Sequence, residues 1–184
     1  MPGKVAARLL ECAEAQHGYI TAAQAAAEGI DYRTLGMMAR RGVVERLSRG
    51  VYRLSQYPPF RHGQYMEATL WPQDGVQAVL SHESALEFHS LSDVNPNRIH
   101  ITLPRSYRIR RKIPSHLMVH REALHAGDVE VVDGIRVTTP FRGVQDCIRG
   151  HLGPRLIRQA IADGRRRGKL TQRQAGELER ELRS

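Results

Sequence analysis

The sequence predicts an α+β protein: an N-terminal winged helix-turn-helix domain at residues 1–56, then an α+β domain with a small, largely antiparallel sheet at residues 62–184. Three observations predict it. Three short helical segments with capping residues precede a hairpin pattern within the first 54 residues. Further on, alternating apolar and polar strands are interleaved with helices that open on Ser, Thr or Pro. Between the two lies Tyr57-Pro58-Pro59, whose paired prolines favour an extended chain and make 57–61 a linker.

Val5, Leu9, Cys12 and Ala13 recur at helical spacing, predicting an amphipathic helix over 4–16 that stops at His17-Gly18. Thr21 is a good N-cap for the alanine-rich run Ala22 to Glu28, and Gly29 ends it. Asp31 caps a third helix that runs through Leu35 and Met38 to Arg41, with Gly42 as its stop. Val43 to Leu47 and Val51 to Leu54 then flank Ser48-Arg49-Gly50 as a hairpin. Helix, helix, helix, hairpin is the element order of a winged helix-turn-helix.

After the linker, residues 62–71 read as a helix, Trp71 to Gly75 as a turn and Val76 to Leu80 as a short buried strand. Ser81 caps a helix reaching about His89. Residues 98–103 and 116–121 alternate as strands. Asp133-Gly134, between Val129–Val132 and Ile135–Thr138, is the strongest two-residue hairpin signal in the chain. Pro140 and Pro154 open two helices, and Thr171 caps the last.

The chain has 184 residues, a formal net charge of +9 and two cysteines. Cys12 and Cys147 form neither a disulfide framework nor a CxxC pair. No apolar run reaches the roughly 18 residues of a membrane span, and the N-terminus lacks the apolar core of a secretory leader. The expectation is a cytoplasmic protein with no membrane association. All the basic residues except Lys4, Lys112 and Lys169 are arginines, whose planar fork suits phosphate and base recognition. They cluster. Residues 32–61 hold seven arginines against Glu45 alone, while 98–112 and 148–169 form two further basic blocks. Such blocks predict a polyanionic partner, here double-stranded DNA.

In a helix-turn-helix the third helix enters the major groove. Leu35 and Met38 are expected on its core side, which leaves Arg33, Thr34, Met37 and Arg40 for base edges and Arg41 for phosphate. Arg46, Arg49 and Arg53 decorate the hairpin, where a wing meets phosphates or the minor groove. Gly36 lowers helix propensity by about 1 kcal/mol relative to Ala and would allow close backbone approach to DNA. Arg105, Arg108, Arg110 and Arg111, between two strands, would extend the footprint along the backbone.

Catalysis finds little support. His82-Glu83 lacks the second histidine of HExxH, and His100, His116 and His120 fall on strands, outside helical ligand spacing. Ser81, Ser84 and His82 lack a GxSxG elbow. Asp128, Glu130 and Asp133 keep a metal nuclease in view, but no acidic residue is followed two positions later by lysine. There is no GxxxxGK[ST] loop. The expectation is a non-enzyme with no catalytic residues, no metal ligands and no cofactor.

Several blocks carry a resemblance. Gly18 to Ile30 (GYITAAQAAAEGI) and Met38 to Leu54 (MARRGVVERLSRGVYRL) resemble the N-terminal winged-helix domain of AbiEi-type antitoxins of type IV toxin–antitoxin systems. Ser81 to Asp93 (SHESALEFHSLSD), Ile99 to Pro104 (IHITLP) and Asp133 to Ile148 (DGIRVTTPFRGVQDCI) are similar to that family's C-terminal domain. In that family the segment after VTTP reads as an arginine and a leucine-rich helix; here it is Phe141 to Ile148, so that helix is expected to pack differently. The resemblance implies an antitoxin that represses its own operon by binding promoter repeats. It also implies a C-terminal domain that aids cooperative DNA binding and neutralises a nucleotidyltransferase-like toxin, without requiring a stable complex. The alternative is a plain winged-helix transcription regulator whose C-terminal domain binds a ligand or dimerises.

Overall fold

The computed structural model describes residues 2–72 and 75–184. They divide into two compact units: the chain up to Ala78 together with Val132–Ile135, and Val79–Val131 together with Arg136–Ser184.

In the first unit α1 (Pro2–Glu14) buries Leu9 and Ala13, one turn apart. His17 and Gly18, both at positive φ, turn the chain into β1 (Tyr19–Thr21), a strand that sequence periodicity does not reveal. Its three residues are too few to show alternation. They are extended because they pair with β3 (Val51–Leu54) across Tyr19↔Arg53, Ile20↔Tyr52 and Thr21↔Val51. Thr21 then starts α2 (Ala22–Ala27) with a full capping box: its Oγ1 accepts from the Gln24 N–H at 3.1 Å, and Gln24 Oε1 accepts from the Thr21 N–H at 2.8 Å. The Asp31 carboxylate accepts from the Thr34 N–H at 2.7 Å and begins α3 (Tyr32–Arg40). β2 (Val44–Ser48) returns antiparallel to β3, with a register shift between Arg46 and Ser48, and the hairpin turns at Arg49-Gly50. The sheet order is β1-β3-β2. Leu9, Ile20, Ile30, Leu35, Val44, Tyr52 and Leu54 form the core that holds α3 against this sheet.

The units divide at Ala78, whereas the paired prolines suggested 57–61. α4 (Gly63–Leu70) belongs to the first unit because its first residue lies against the Tyr19 hydroxyl, where a Cβ would collide. Gln77 Nε2 also donates to Gln16 Oε1 at 3.0 Å. Of the expected turn before it, Gln73 and Asp74 lie outside the described residues.

The second unit begins with β4 (Val79–Leu80), shorter than the expected 76–80, and α5 (His82–Phe88). β5 (Ile99–Leu103) and β6 (Leu117–Arg121) follow, then a short 3-10 turn and the hairpin of β7 (Val129–Val132) and β8 (Ile135–Thr138). The hairpin turns at Asp133 (φ 49°) and Gly134 (φ 73°), the pair of positive φ values that Asp-Gly favours. The five strands are ordered β6-β5-β4-β8-β7. This sheet is mixed, which corrects the largely antiparallel expectation: β4 is antiparallel to β5, but β4–β8 and β5–β6 are parallel. The long connection between β5 and β6 lets the chain return to the same end, which a tight hairpin cannot do.

Three helices complete the unit: α6 (Pro140–Arg149), α7 (Pro154–Arg166) and α8 (Gln172–Glu181). Leu86 and Leu91 join Val144, Cys147, Ile157, Ile161, Leu170 and Leu178 in their core.

Candidate functional site

Burying Leu35 and half-burying Met38 orients α3 and leaves its other side outward. Arg33, Met37, Arg40 and Arg41 are all exposed there, Met37 by 49%. Positions 33, 37 and 40 follow one helical stripe, with arginines at both ends and an unbranched thioether between. Thr34 sits at the edge, half-buried, its backbone N–H already given to Asp31. Two apolar side chains escaped the sequence reading: Tyr32, 62% exposed at the start of α3, and Val43, 39% exposed just after it. Both flank the helix, Tyr32 as its first residue and Val43 beyond its last, where a bulky side chain can stay outside the core. Among the described residues nothing lies within 4 Å of where a Cβ on Gly36 would sit, so packing among them does not require glycine there.

On the hairpin, Arg46 and Arg49 are exposed. Arg53 differs from expectation. It lies on the central strand opposite Glu45 and donates to Glu45 Oε2 at 2.7 Å, with only 18% of its side chain exposed. Period-two alternation told nothing of the strand order, so the pairing was invisible in the sequence.

In the second unit, the loop between β5 and β6 carries exposed Arg105, Arg108 and Arg110 and a half-buried Arg111. Arg121 on β6 ties this loop down by donating to the backbone carbonyls of Arg105 and Tyr107. The third basic block is partly neutralised: Arg166 pairs with Asp163 at 2.6 Å, and Lys169 donates to the His89 carbonyl at 2.9 Å.

Arg142 is the largest polar surprise. It lies on α6, within the segment expected to pack differently, and is only 7% exposed. Its guanidinium reaches three carboxylates: Asp146 through Nε at 2.6 Å, Glu122 at 2.6 Å and Asp128 at 3.1 Å. Burial, aided by Glu122, pushes the Asp146 carboxyl upward against the pull of Arg142. Of the three carboxylates that kept a nuclease in view, Asp128 is thus engaged by Arg142. Glu130 lies 3.6 Å from His89 and Asp133 3.7 Å from Arg61.

The histidines separate into distinct environments. His82, at the first residue of α5, meets His100 on β5 and His120 on β6, their candidate ligand atoms all within 4.8 Å of one another. Sequence spacing gave no sign of this grouping. The residues are far apart in sequence, and only the parallel β5–β6 register, Thr102↔His120, puts His100 and His120 on one face. His116 stays outside the group. Burial pushes His82 down to about 3, with His120 and His100 adding to the shift, and His120 down to about 4; His100 is also lowered by burial.

His89, at the end of α5, is 3% exposed and its Nε2 lies 2.9 Å from the Thr138 carbonyl, which accepts the ring proton. Burial lowers its pKa below 6.5, Lys169 lowers it further, and Glu130 and the Thr138 carbonyl oppose the shift. The unfolded chain takes up a proton at the ordinary value, whereas the folded chain resists. His89 therefore contributes stability that is complete above 6.5 and lost as the pH falls from there toward the folded value. Denaturant unfolding at about pH 7.5 and about pH 5.5 checks this. His89→Gln is expected to lose less stability over that interval than the parent chain; an equal loss contradicts the assignment.

No curated protein matches this chain. A solved structure, that of the RV2827C protein from Mycobacterium tuberculosis, is similar over 95% of this chain and 71% of that one, with a TM-score of 0.53 and 15% identity, a likeness of fold. No helix among the described residues is long and apolar enough to cross a membrane. The family model described as a transcriptional regulator, AbiEi antitoxin, matches residues 7–55, the stretch that holds the three helices and the hairpin. The model of the AbiEi antitoxin C-terminal domain matches residues 77–149, from the start of the second sheet to the end of α6. With both halves matched in order over about two thirds of its length, the chain belongs to the AbiEi antitoxin family of transcriptional regulators.

Proposed function

We infer that the protein is a DNA-binding antitoxin of the type IV kind that represses its own toxin–antitoxin operon and neutralises a nucleotidyltransferase-like toxin. It acts in the cytoplasm, and antitoxicity requires no stable complex. The observation that carries the DNA-binding part is the outer stripe of α3, where Arg33, Met37 and Arg40 stand exposed on a helix whose other side is buried. Arg33 and Arg40 read base edges with Thr34 and Met37, and Arg41 holds phosphate. Gly36 lets the helix backbone approach the groove closely. Arg46 and Arg49 anchor the wing, while Arg105, Arg108, Arg110 and Arg111 supply sequence-independent phosphate contacts. Arg53, spoken for by Glu45, supports the hairpin and leaves the DNA contacts to its neighbours.

The test is anisotropy of the purified chain on its own upstream DNA and on a scrambled duplex, at about 0.15 M salt, where weak charge attraction is largely screened. A preference of about a thousandfold or more is expected of an operator-specific repressor. Equal, weak binding to both overturns the reading. Arg49→Ala is expected to weaken binding to both duplexes alike and to flatten the salt dependence, whereas Arg53→Ala leaves that slope unchanged. Loss on one duplex only contradicts the role given to Arg49. Co-expression with a nucleotidyltransferase-like toxin tests neutralisation separately.

A further inference from the structure

We propose that His82, His100 and His120 form a binding site for one divalent cation of the zinc class, held by three imidazole nitrogens within the second compact unit. The argument starts from distance. His100 Nδ1 and His120 Nε2 face each other at 3.3 Å. Two nitrogens about 2.0–2.1 Å from a tetrahedral zinc lie about 3.3 Å apart, so the gap between these rings is already one edge of the coordination tetrahedron. With both rings neutral and each carrying its proton on the nitrogen away from the gap, both facing lone pairs are free for a metal and no charge has to be removed. His82 supplies the third nitrogen. Its Nδ1 lies 3.0 Å from Ser81 Oγ, which also accepts from the Thr102 hydroxyl at 2.8 Å. With Nδ1–H donated to the serine, the Nε2 lone pair is left for a metal, and the serine orients the ring as outer partners of metal-bound histidines do.

Two further observations support the site. His82 adopts φ 52°, a left-handed backbone uncommon for a residue other than glycine, and residues held in this region cluster at ligand-binding sites. Ser81 makes no capping bond to α5, contrary to its expected role; its hydroxyl is turned to Thr102 and His82 instead. His82 is 7% exposed, while His100 and His120 are half-buried, so an ion reaches the site from their side and solvent fills its fourth position. The His82 ring stacks on His120 with centroids 3.6 Å apart. Stacked rings direct their in-plane lone pairs side by side, so ligation tilts the His82 ring about its hydrogen bond to Ser81 until the three nitrogens converge. An all-nitrogen set suits zinc, cobalt or nickel and disfavours magnesium and calcium, which take oxygen ligands.

The experiment is titration of the untagged full-length chain with cobalt(II), followed by displacement with zinc. The expected result is visible absorption of a low-symmetry cobalt complex, saturating at one ion per chain and bleached by zinc. His100→Gln and His120→Gln are each expected to weaken binding by more than about a hundredfold, beyond the loss usual for an outer partner. His116→Ala, at an exposed histidine outside the group, keeps the parent affinity. Absence of saturable binding in the parent chain overturns the proposal, as does binding by the glutamine variants as tight as the parent's. A variant that fails to fold leaves the test intact, because nitrogen NMR of the parent chain decides it alone. Zinc must shift the ring signals of His82, His100 and His120 together, and unmoved signals reject the site.

Discussion

Arg142→Ala is expected to destabilise the second unit by about 3–5 kcal/mol, the usual penalty for removing one partner of a buried ion pair. The side chain is 9% exposed and holds three carboxylates, one of which, on Asp146, is 1% exposed. Truncation leaves Asp146 without its cation and sets Glu122 and Asp128 facing each other around the space. Arg142→Lys is expected to recover only part of the loss, since an ammonium is a point charge and cannot match the three directions of a guanidinium. Amide hydrogen exchange in α6 and the strands beside it measures the effect on this unit without requiring the whole chain to unfold as one. A change below about 1 kcal/mol would show that water satisfies the carboxylates as well as the arginine does.

Replacing Arg33 and Arg40 together with alanine is expected to reduce operator affinity by about 2–6 kcal/mol, taking 1–3 kcal/mol for each bidentate contact to a base. The two lie two turns apart on α3, far enough for their losses to add. Both are exposed, so the fold is expected to survive unchanged. The scrambled duplex should lose only the electrostatic part, and the preference between duplexes should collapse. Anisotropy on both duplexes, with thermal unfolding as the control, separates these outcomes. A preserved preference with uniformly weaker binding would make the two arginines phosphate contacts and move base reading elsewhere.

What was legible in the sequence lay within a few residues of itself. The caps at Thr21, Asp31 and Thr171 are bonds from a side chain to a backbone N–H three positions on, and the structure contains all three, while the cap expected of Ser81 is absent because its hydroxyl bonds Thr102 and His82. Asp133-Gly134 carries its turn in its own backbone preferences, and the stripe of α3 follows from 3.6 residues per turn. The order of these local elements, with the motifs quoted from them, was enough to indicate the family.

Tertiary structure decided everything that depends on which distant segments meet. β1 exists because β3 accepts it, and α4 belongs to the first unit because Gly63 leaves room for Tyr19. Arg53 and Glu45 are ordinary charges in the sequence, and strand register makes them a pair. The same holds for Arg142 among its carboxylates and for His82 beside His100 and His120. A hydrogen bond, an ion pair and a ligand set all act over about 3–4 Å, and along an unfolded chain these residues are many times that distance apart. Sequence alone therefore determined the local elements and the arginine-lined outer stripe of α3. Only packing and strand register determined the buried ion cluster and the histidine site, because they alone bring the partners within reach.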